Sequence, residues 1–320
     1  MRFHVALLVL GSVSVAACSS DVAPSTGATT ADLVNAPRDT ENTWAVGVCA
    51  SAPNTDPAKG PLGACVEAGT RCTGSLVAPN LVLTARHCTN VIDWTGANGF
   101  CEAHFTPEPL TTAGARITLS ASVLNENPGW VNVREVITAP TNNSCDDDIA
   151  LLLLDTPVAA KDATPIAMSF EDLASSSSRP GSVAVVGRGL LTALIDPVEL
   201  TPIDETTDLT RRFKKNIPLR CVSNEAGDCE TVDISSPPSN RFALPASMFL
   251  IGQGTASGDS GSSVLAQKSF TAKQPVTLGV LSAGTFGKDG VSNAGLVVRL
   301  DRHASWITAA VARAASLLGD

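Results

Sequence analysis

No tyrosine occurs among the 320 residues, and only 4% are aromatic and 17% charged. So little charge combined with 44% hydrophobic content excludes a disordered chain, which keeps its apolar content low and its charge high. Cations are outnumbered, 22 Lys and Arg against 31 Asp and Glu, for a formal charge of −9. That balance excludes nucleic acid as a partner, because phosphate binding rests on a cationic surface. The nine cysteines include no Cys-x-x-Cys pair, the spacing most zinc sites use, and neither a metal nor another cofactor is expected. Sequence repeats are absent. The N-terminal apolar run, Val5 to Ala17, is broken by Gly11, Ser12 and Ser14 and is shorter than the roughly 20 residues of a membrane-spanning helix.

What stands at the N-terminus is Arg2 followed by that run, the pattern of an export signal. It ends in "VAAC", Val15 to Cys18, which resembles the lipobox of bacterial lipoproteins, whose cysteine is acylated and becomes the first residue. Plain signal cleavage after Ala17 is the alternative. Parity favours acylation: it removes Cys18 from nine cysteines and leaves eight, Cys49, Cys65, Cys72, Cys88, Cys101, Cys145, Cys221 and Cys229, enough to close four disulfides in an oxidising compartment. A zinc site of cysteines with His87 is the competing use. We therefore expect a signal peptide at 1–17, a polar tether or pro-segment at 18–32 and a folded domain at 33–320. Membrane contact is expected only through a lipid on Cys18, and the chain is expected to be a monomer at the bacterial envelope, or secreted after release.

The remaining sequence is punctuated by short runs rich in Val, Leu and Ala, among them "SLVAPNLVLTA", "IALLLL", "SVAVVG", "VTLGVLSAG" and "GLVVRL". Apolar runs this short, separated by Gly, Pro, Asn and Ser, predict an all-β sandwich or barrel. "SSSSRPGS", Ser175 to Ser182, divides the β-rich region in two. The end is helical: Ile307, Ala310, Val311, Ala314, Leu317 and Leu318 share a face, with Asp301 placed to cap the start and Gly319 to end it.

Glycines crowd an acid and a serine in "GDSGS", Gly258 to Ser262. The pattern suits an ordinary surface turn, and equally a sharp loop whose amides point outward around a nucleophile. A lone serine is a poor nucleophile, so the second reading needs a base and an orienting acid. Of four histidines, His4 leaves with the signal, His104 sits in the loop-like "CEAHFTPEP" and His303 lies in the last helix. His87 follows an apolar strand in "VLTARHC", next to Cys88. Asp148 in "CDDDIALLLL" precedes a run apolar enough to be buried, where a carboxylate can fix an imidazole tautomer. Asp146 and Asp147 read as solvated loop charges.

"CTGSLVAPNLVLTARHC", "DDDIALLLL", "GTASGDSGS", "GVLSAG" and "GLVVRLDRHASWI", in that order, resemble the successive signature segments of the trypsin and chymotrypsin family of serine peptidases. The resemblance implies two six-stranded antiparallel barrels, about 33–170 and 183–300, a linker at about 171–182 and a C-terminal helix at about 302–318. It implies Ser260 as nucleophile, His87 as general base and acid, and Asp148 as orienting carboxylate, acting on proteins or peptides. Gly258 and Ser260 would offer amides to the oxyanion, and Asp259 would pair with a newly made α-amino group. "LVNA", Leu33 to Ala36, is the nearest match to the family's new N-terminus. Cys72 and Cys88 match the family disulfide; Cys49 with Cys65, Cys101 with Cys145 and Cys221 with Cys229 are pairs suggested by closeness in sequence.

Departures from the family pattern gather near the substrate. Ala256 stands where most members have cysteine, and Ser262 and Ser263 replace Gly-Pro. By alignment Gly254 lies at the base of the S1 pocket, Gly284 and Gly295 on its walls and Ser282 at its entrance. With no acid at the base, the expectation is an apolar pocket favouring Phe, Leu or Met, Asp289 being the one nearby acid. The alternative to an endopeptidase is a catalytically silent binding protein on the same fold.

Overall fold

The computed structural model describes residues 36–50, 71–97, 99–109, 115–123, 129–175, 177, 179–189, 192–195, 202–206, 210–224, 229–233, 240–286 and 292–318. Cys18, Leu33, Cys65, Asp289 and Gly319 lie outside them. Among the described residues the first half runs through Ala45–Ala50 (β1), Arg71–Ala78 (β2), Leu81–Thr84 (β3), the hairpin of Asn90–Asp93 (β4) and His104–Pro109 (β5), then Ala115–Thr118 (β6), Trp130–Thr138 (β7) and Ala150–Leu154 (β8). Strands β1, β2, β3, β8, β7 and β6 pair in that order and β6 closes on β1, an antiparallel six-stranded barrel. His104 opens β5 and is not in a loop. Every residue of β1, β3 and β8 is buried. That explains why "LVLT" and "ALLLL" read as unbroken apolar runs, without the alternation of a strand that has one face in water.

The second half comprises Ala167–Met168 (β9), Ser182–Gly187 (β10), the hairpin Thr192–Ile195 (β11) and Pro202–Thr206 (β12), Arg212–Val222 (β13), the hairpin Glu230–Asp233 (β14) and Asn240–Ala243 (β15), Met248–Ile251 (β16), Ser263–Ala266 (β17), Val276–Phe286 (β18) and Ser292–Arg299 (β19). Here β17, β10, β13, β16, β19 and β18 pair in sequence and β18 returns to β17, closing a second six-stranded antiparallel barrel, with β9 added parallel to β18. Two barrels and no open central sheet account for short strands with frequent turns.

The C-terminal helix spans Ala304–Ser316 after a 3-10 turn at Asp301–His303. Its buried residues Ile307, Ala310 and Ala314 belong to the core shared with β3 and β8, each methylene removed from water there contributing about 0.8 kcal/mol. The carbonyl of Ala314 accepts from Asn80 Nδ2 at 2.8 Å. Leu318 stays exposed, outside the buried stripe. Asp301 is not the cap: the N-cap is His303, and no side chain bonds there. Fully buried Arg299 takes the Asp301 carboxylate instead, through Nε at 3.0 Å and through Nη2. A buried guanidinium needs that partner more than a helix end does.

Candidate active site

The loop after β3 carries His87 in the 3-10 turn Arg86–Cys88, fastened at its far side by the Cys72–Cys88 disulfide to β2. Asp148 is fully buried at the mouth of β8. Because β3 and β8 are neighbours, with Thr84 opposite Ala150, the two side chains meet. Asp148 Oδ1 accepts the His87 backbone N–H at 2.7 Å and Oδ2 accepts His87 Nδ1–H at 2.7 Å. Ser282 Oγ donates to the same Oδ2 at 2.6 Å. The imidazole is thereby locked with its proton on Nδ1 and with Nε2 as the basic nitrogen.

Burial pulls the His87 pKa down. The charge of Asp148 and the hydrogen bond to it outweigh burial, and the net effect is a rise above the ordinary 6.5. A general base must be neutral, so kcat/KM is expected to fall on the acid side with a midpoint above pH 6.5. In Asp148→Asn only burial remains. An NMR titration of His87 is then expected to move below 6.5, and an unchanged midpoint would show that Asp148 does not control the imidazole.

Ser260 comes from the other barrel, on the turn that leads into β17. Asp259 and Ala256 bond across this turn at 3.0 Å, and Thr73 N–H, from β2, donates to the Ser260 carbonyl at 2.8 Å. Gly258 sits at φ +93°, a conformation that suits glycine and few other residues. Among the described residues the amides of Gly258 and Ser260 donate to no protein acceptor, and none hydrogen-bonds His87 Nε2 to Ser260 Oγ. Nε2 lies 4.0 Å from Cys88 Sγ. Unliganded sites often hold this pair apart.

Asp259 is wholly buried beneath the loop. Its Oδ1 accepts from Gly189 N–H at 2.7 Å and its Oδ2 from Ala256 N–H at 2.8 Å. Burial raises the carboxyl to about 7 against the opposing pull of the Ala256, Gly189 and Arg188 amides. A β-carbon on Gly187 would fall 2.1 Å, and one on Gly189 2.6 Å, from a carboxylate oxygen. The "GRG" of residues 187–189 is thus the complement of Asp259. Sequence reading missed it, although two glycines closing the buried run "SVAVVG" are a detectable signal. Arg188 between them turns away, donating to the carbonyls of Ala45, Ser120 and Ala121. Burial, then neighbouring Arg211, pushes its guanidinium down to about 9.

Asp147 is not a solvated loop charge, and Asp146 is half-buried. Asp147 is buried and accepts from Asn143 N–H at 2.9 Å, while Asp146 takes the Ser247 hydroxyl. Arg86, also buried, stacks 4.8 Å over Phe105. The nearby charge supports Arg86, whose pKa burial lowers and Asp147 and Asp148 partly restore. His303 is a satisfied core histidine, donating from Nε2 to the Asp146 carbonyl at 2.8 Å and accepting from Trp306 at 3.2 Å. Disulfides join Cys72 with Cys88, Cys101 with Cys145 and Cys221 with Cys229. Cys49 is also disulfide-bonded. Cys72, His87 and Cys88 form the one metal-like cluster among the described residues. With both sulfurs in a disulfide it has no thiolate to offer a metal.

A cavity of about 240 Å³ opens beside Ser260, lined by residues 255–257, Ser260 and residues 281–284. Ser282 and Gly284 are on its wall. Gly295 pairs with Gly284 but backs onto Ile251 and Leu281, and Gly254 directly precedes the lining. The family model for Trypsin matches residues 52–307. The chain belongs to the trypsin family. That membership makes it a serine protease domain in general terms, with proteins or peptides as the substrate class. No curated protein matches the chain. No described helix is long and apolar enough to cross a membrane.

Proposed function

We propose that this trypsin-family chain is an exported serine endopeptidase with Ser260, His87 and Asp148 as its triad. Ser260 Oγ attacks the scissile carbonyl as its proton passes to His87 Nε2, and the Asp148 carboxylate steadies the imidazolium through Nδ1. The Gly258 and Ser260 amides receive the oxyanion. His87 then protonates the leaving amine, and water repeats the sequence to free the acyl group. One observation carries the reading: His87 is doubly bonded to a buried carboxylate while Ser260, from the other barrel, faces the adjoining cavity. A fluorophosphonate probe is expected to form one adduct, on Ser260. An intact fold that takes no label would favour the catalytically silent binding protein.

The same reading extends to activation. Burial holds the Asp259 carboxyl at about 7, so at neutral pH only about half of it is ionised, and a cation beside it would favour the charged form. In this proposal the partner is the α-amino group of Leu33, released by a cut after Asp32 that would also free the domain from a lipid on Cys18. N-terminal sequencing of active protein should return "LVNA". Full activity in acylated protein uncut at Leu33 would end the activation proposal and leave the triad untouched.

A further inference from the structure

Two successive residues of β2 hold the two halves of the Ser260 site. Cys72 ties the strand to Cys88, beside His87. Thr73, fully buried, reaches across to the other barrel: its N–H donates to the Ser260 carbonyl at 2.8 Å, and its hydroxyl donates to the Gly258 carbonyl at 3.2 Å. The Thr73 carbonyl in turn accepts from Thr84 Oγ1, on β3, at 2.8 Å. The loop lies so close to this strand pair that a β-carbon on Gly261 would fall 2.1 Å from the Thr73 carbonyl oxygen and 2.2 Å from Thr84 Oγ1. The backbone bonds at position 73 are open to any residue but proline. The bond to Gly258 depends on the side chain.

We propose that Thr73 is a positioning residue of the oxyanion site, its hydroxyl holding the Gly258 carbonyl so that the Gly258 N–H stays aimed at the oxyanion. The proposal rests on the endopeptidase reading above. The Ser257–Gly258 peptide, which carries that N–H, is aimed by whatever holds its two ends. On one side Ala256 is pinned twice to Asp259, its N–H donating to Oδ2 at 2.8 Å and its carbonyl accepting from the Asp259 N–H at 3.0 Å. On the other side the Gly258 carbonyl accepts from Thr73. Gly258 has φ +93° and no β-carbon, so its own sterics restrain it weakly and the restraint must come from outside. Releasing its carbonyl lets the Ser257–Gly258 peptide turn, and an oxyanion donor is effective only while it is held in place.

The test compares mature native protein with Thr73→Val, Thr73→Ala and Thr73→Ser. Valine keeps the branched shape without the hydroxyl, alanine removes both, and serine keeps the hydroxyl, so a fold lost in one hydroxyl-free variant leaves the other to be read. The valine and alanine variants are expected to lower kcat about 10-fold at nearly unchanged KM. A peptide aldehyde, whose adduct with Ser260 places an oxyanion on the same amides, should bind them more weakly by the same factor. Thr73→Ser should retain most of the native kcat. Native kcat in a folded hydroxyl-free variant would overturn the proposal, and so would a rise in KM alone, which reports lost substrate binding and not a lost oxyanion donor. Equal losses in Thr73→Ala and Thr73→Ser would place the effect in the missing methyl group and overturn it as well. If native Ser260 takes the fluorophosphonate and the variants keep kcat, the Thr73 inference alone fails. If native protein shows neither label nor turnover, the endopeptidase reading fails and takes it along.

Discussion

Ser260→Ala and His87→Ala are each expected to lower kcat by on the order of 10⁶-fold, and the double variant by no more than either alone. The non-additivity follows from the geometry. Nε2 has value only as acceptor of the Ser260 proton, and Ser260 Oγ is a weak nucleophile without that acceptor. The residual rate belongs to the Gly258 and Ser260 amides, which neither substitution removes. Folding should survive both changes. The Ser260 hydroxyl anchors nothing among the described residues, and without the imidazole Asp148 still holds the residue-87 amide and Ser282 Oγ. Circular dichroism and melting of each variant, beside single-turnover kinetics, check the claim. Losses that multiply in the double variant would show the two residues acting independently and sink the assigned roles.

The parts of this arrangement that were legible in sequence are those that local chemistry dictates. Strand β8 announces itself because five successive buried positions must all be apolar, and the polar residue at its mouth, Asp148, stands out by contrast. His87 and Ser260 are visible through their neighbours, a cysteine and paired glycines. What stayed hidden depends on contacts between segments far apart in the chain. Asp147 resembled a solvated charge until Asn143 and Arg86 were seen beside it. Asp301 sat at an ideal capping position, yet Arg299 claimed it. Lys214 is one of two adjacent lysines in "RRFKKN", and only the pleat of β13 decides which of them turns inward. Alignment finds Gly254 but not Lys214, the side chain from another strand that lies against it.

Asp259→Asn is expected to lower kcat by about 10² to 10³-fold, comparable to losing an oxyanion donor, with a much smaller change in KM. In the native loop both carboxylate oxygens act as acceptors, Oδ1 for Gly189 and Oδ2 for Ala256. An asparagine has one carbonyl oxygen, so its NH₂ must face one of those two amide donors, and a buried donor opposed to a donor costs about 1–3 kcal/mol. The loop can relieve the conflict by turning the Ser257–Gly258 peptide, which lies between Ala256 and Asp259. That peptide carries the Gly258 N–H, held at φ +93°. Relief therefore comes at the expense of the oxyanion site and not of the cavity wall, which is why kcat falls and substrate binding is largely kept. Labelling distinguishes this from unfolding: the variant should still react with fluorophosphonate, only more slowly, and melt cooperatively. Gly189→Ala, whose β-carbon would crowd both oxygens of the same carboxylate, should reproduce the kcat defect. Should Asp259→Asn retain full kcat, the Asp259 carboxylate does not set the Gly258 peptide, and the need for an activating α-amino group falls with it.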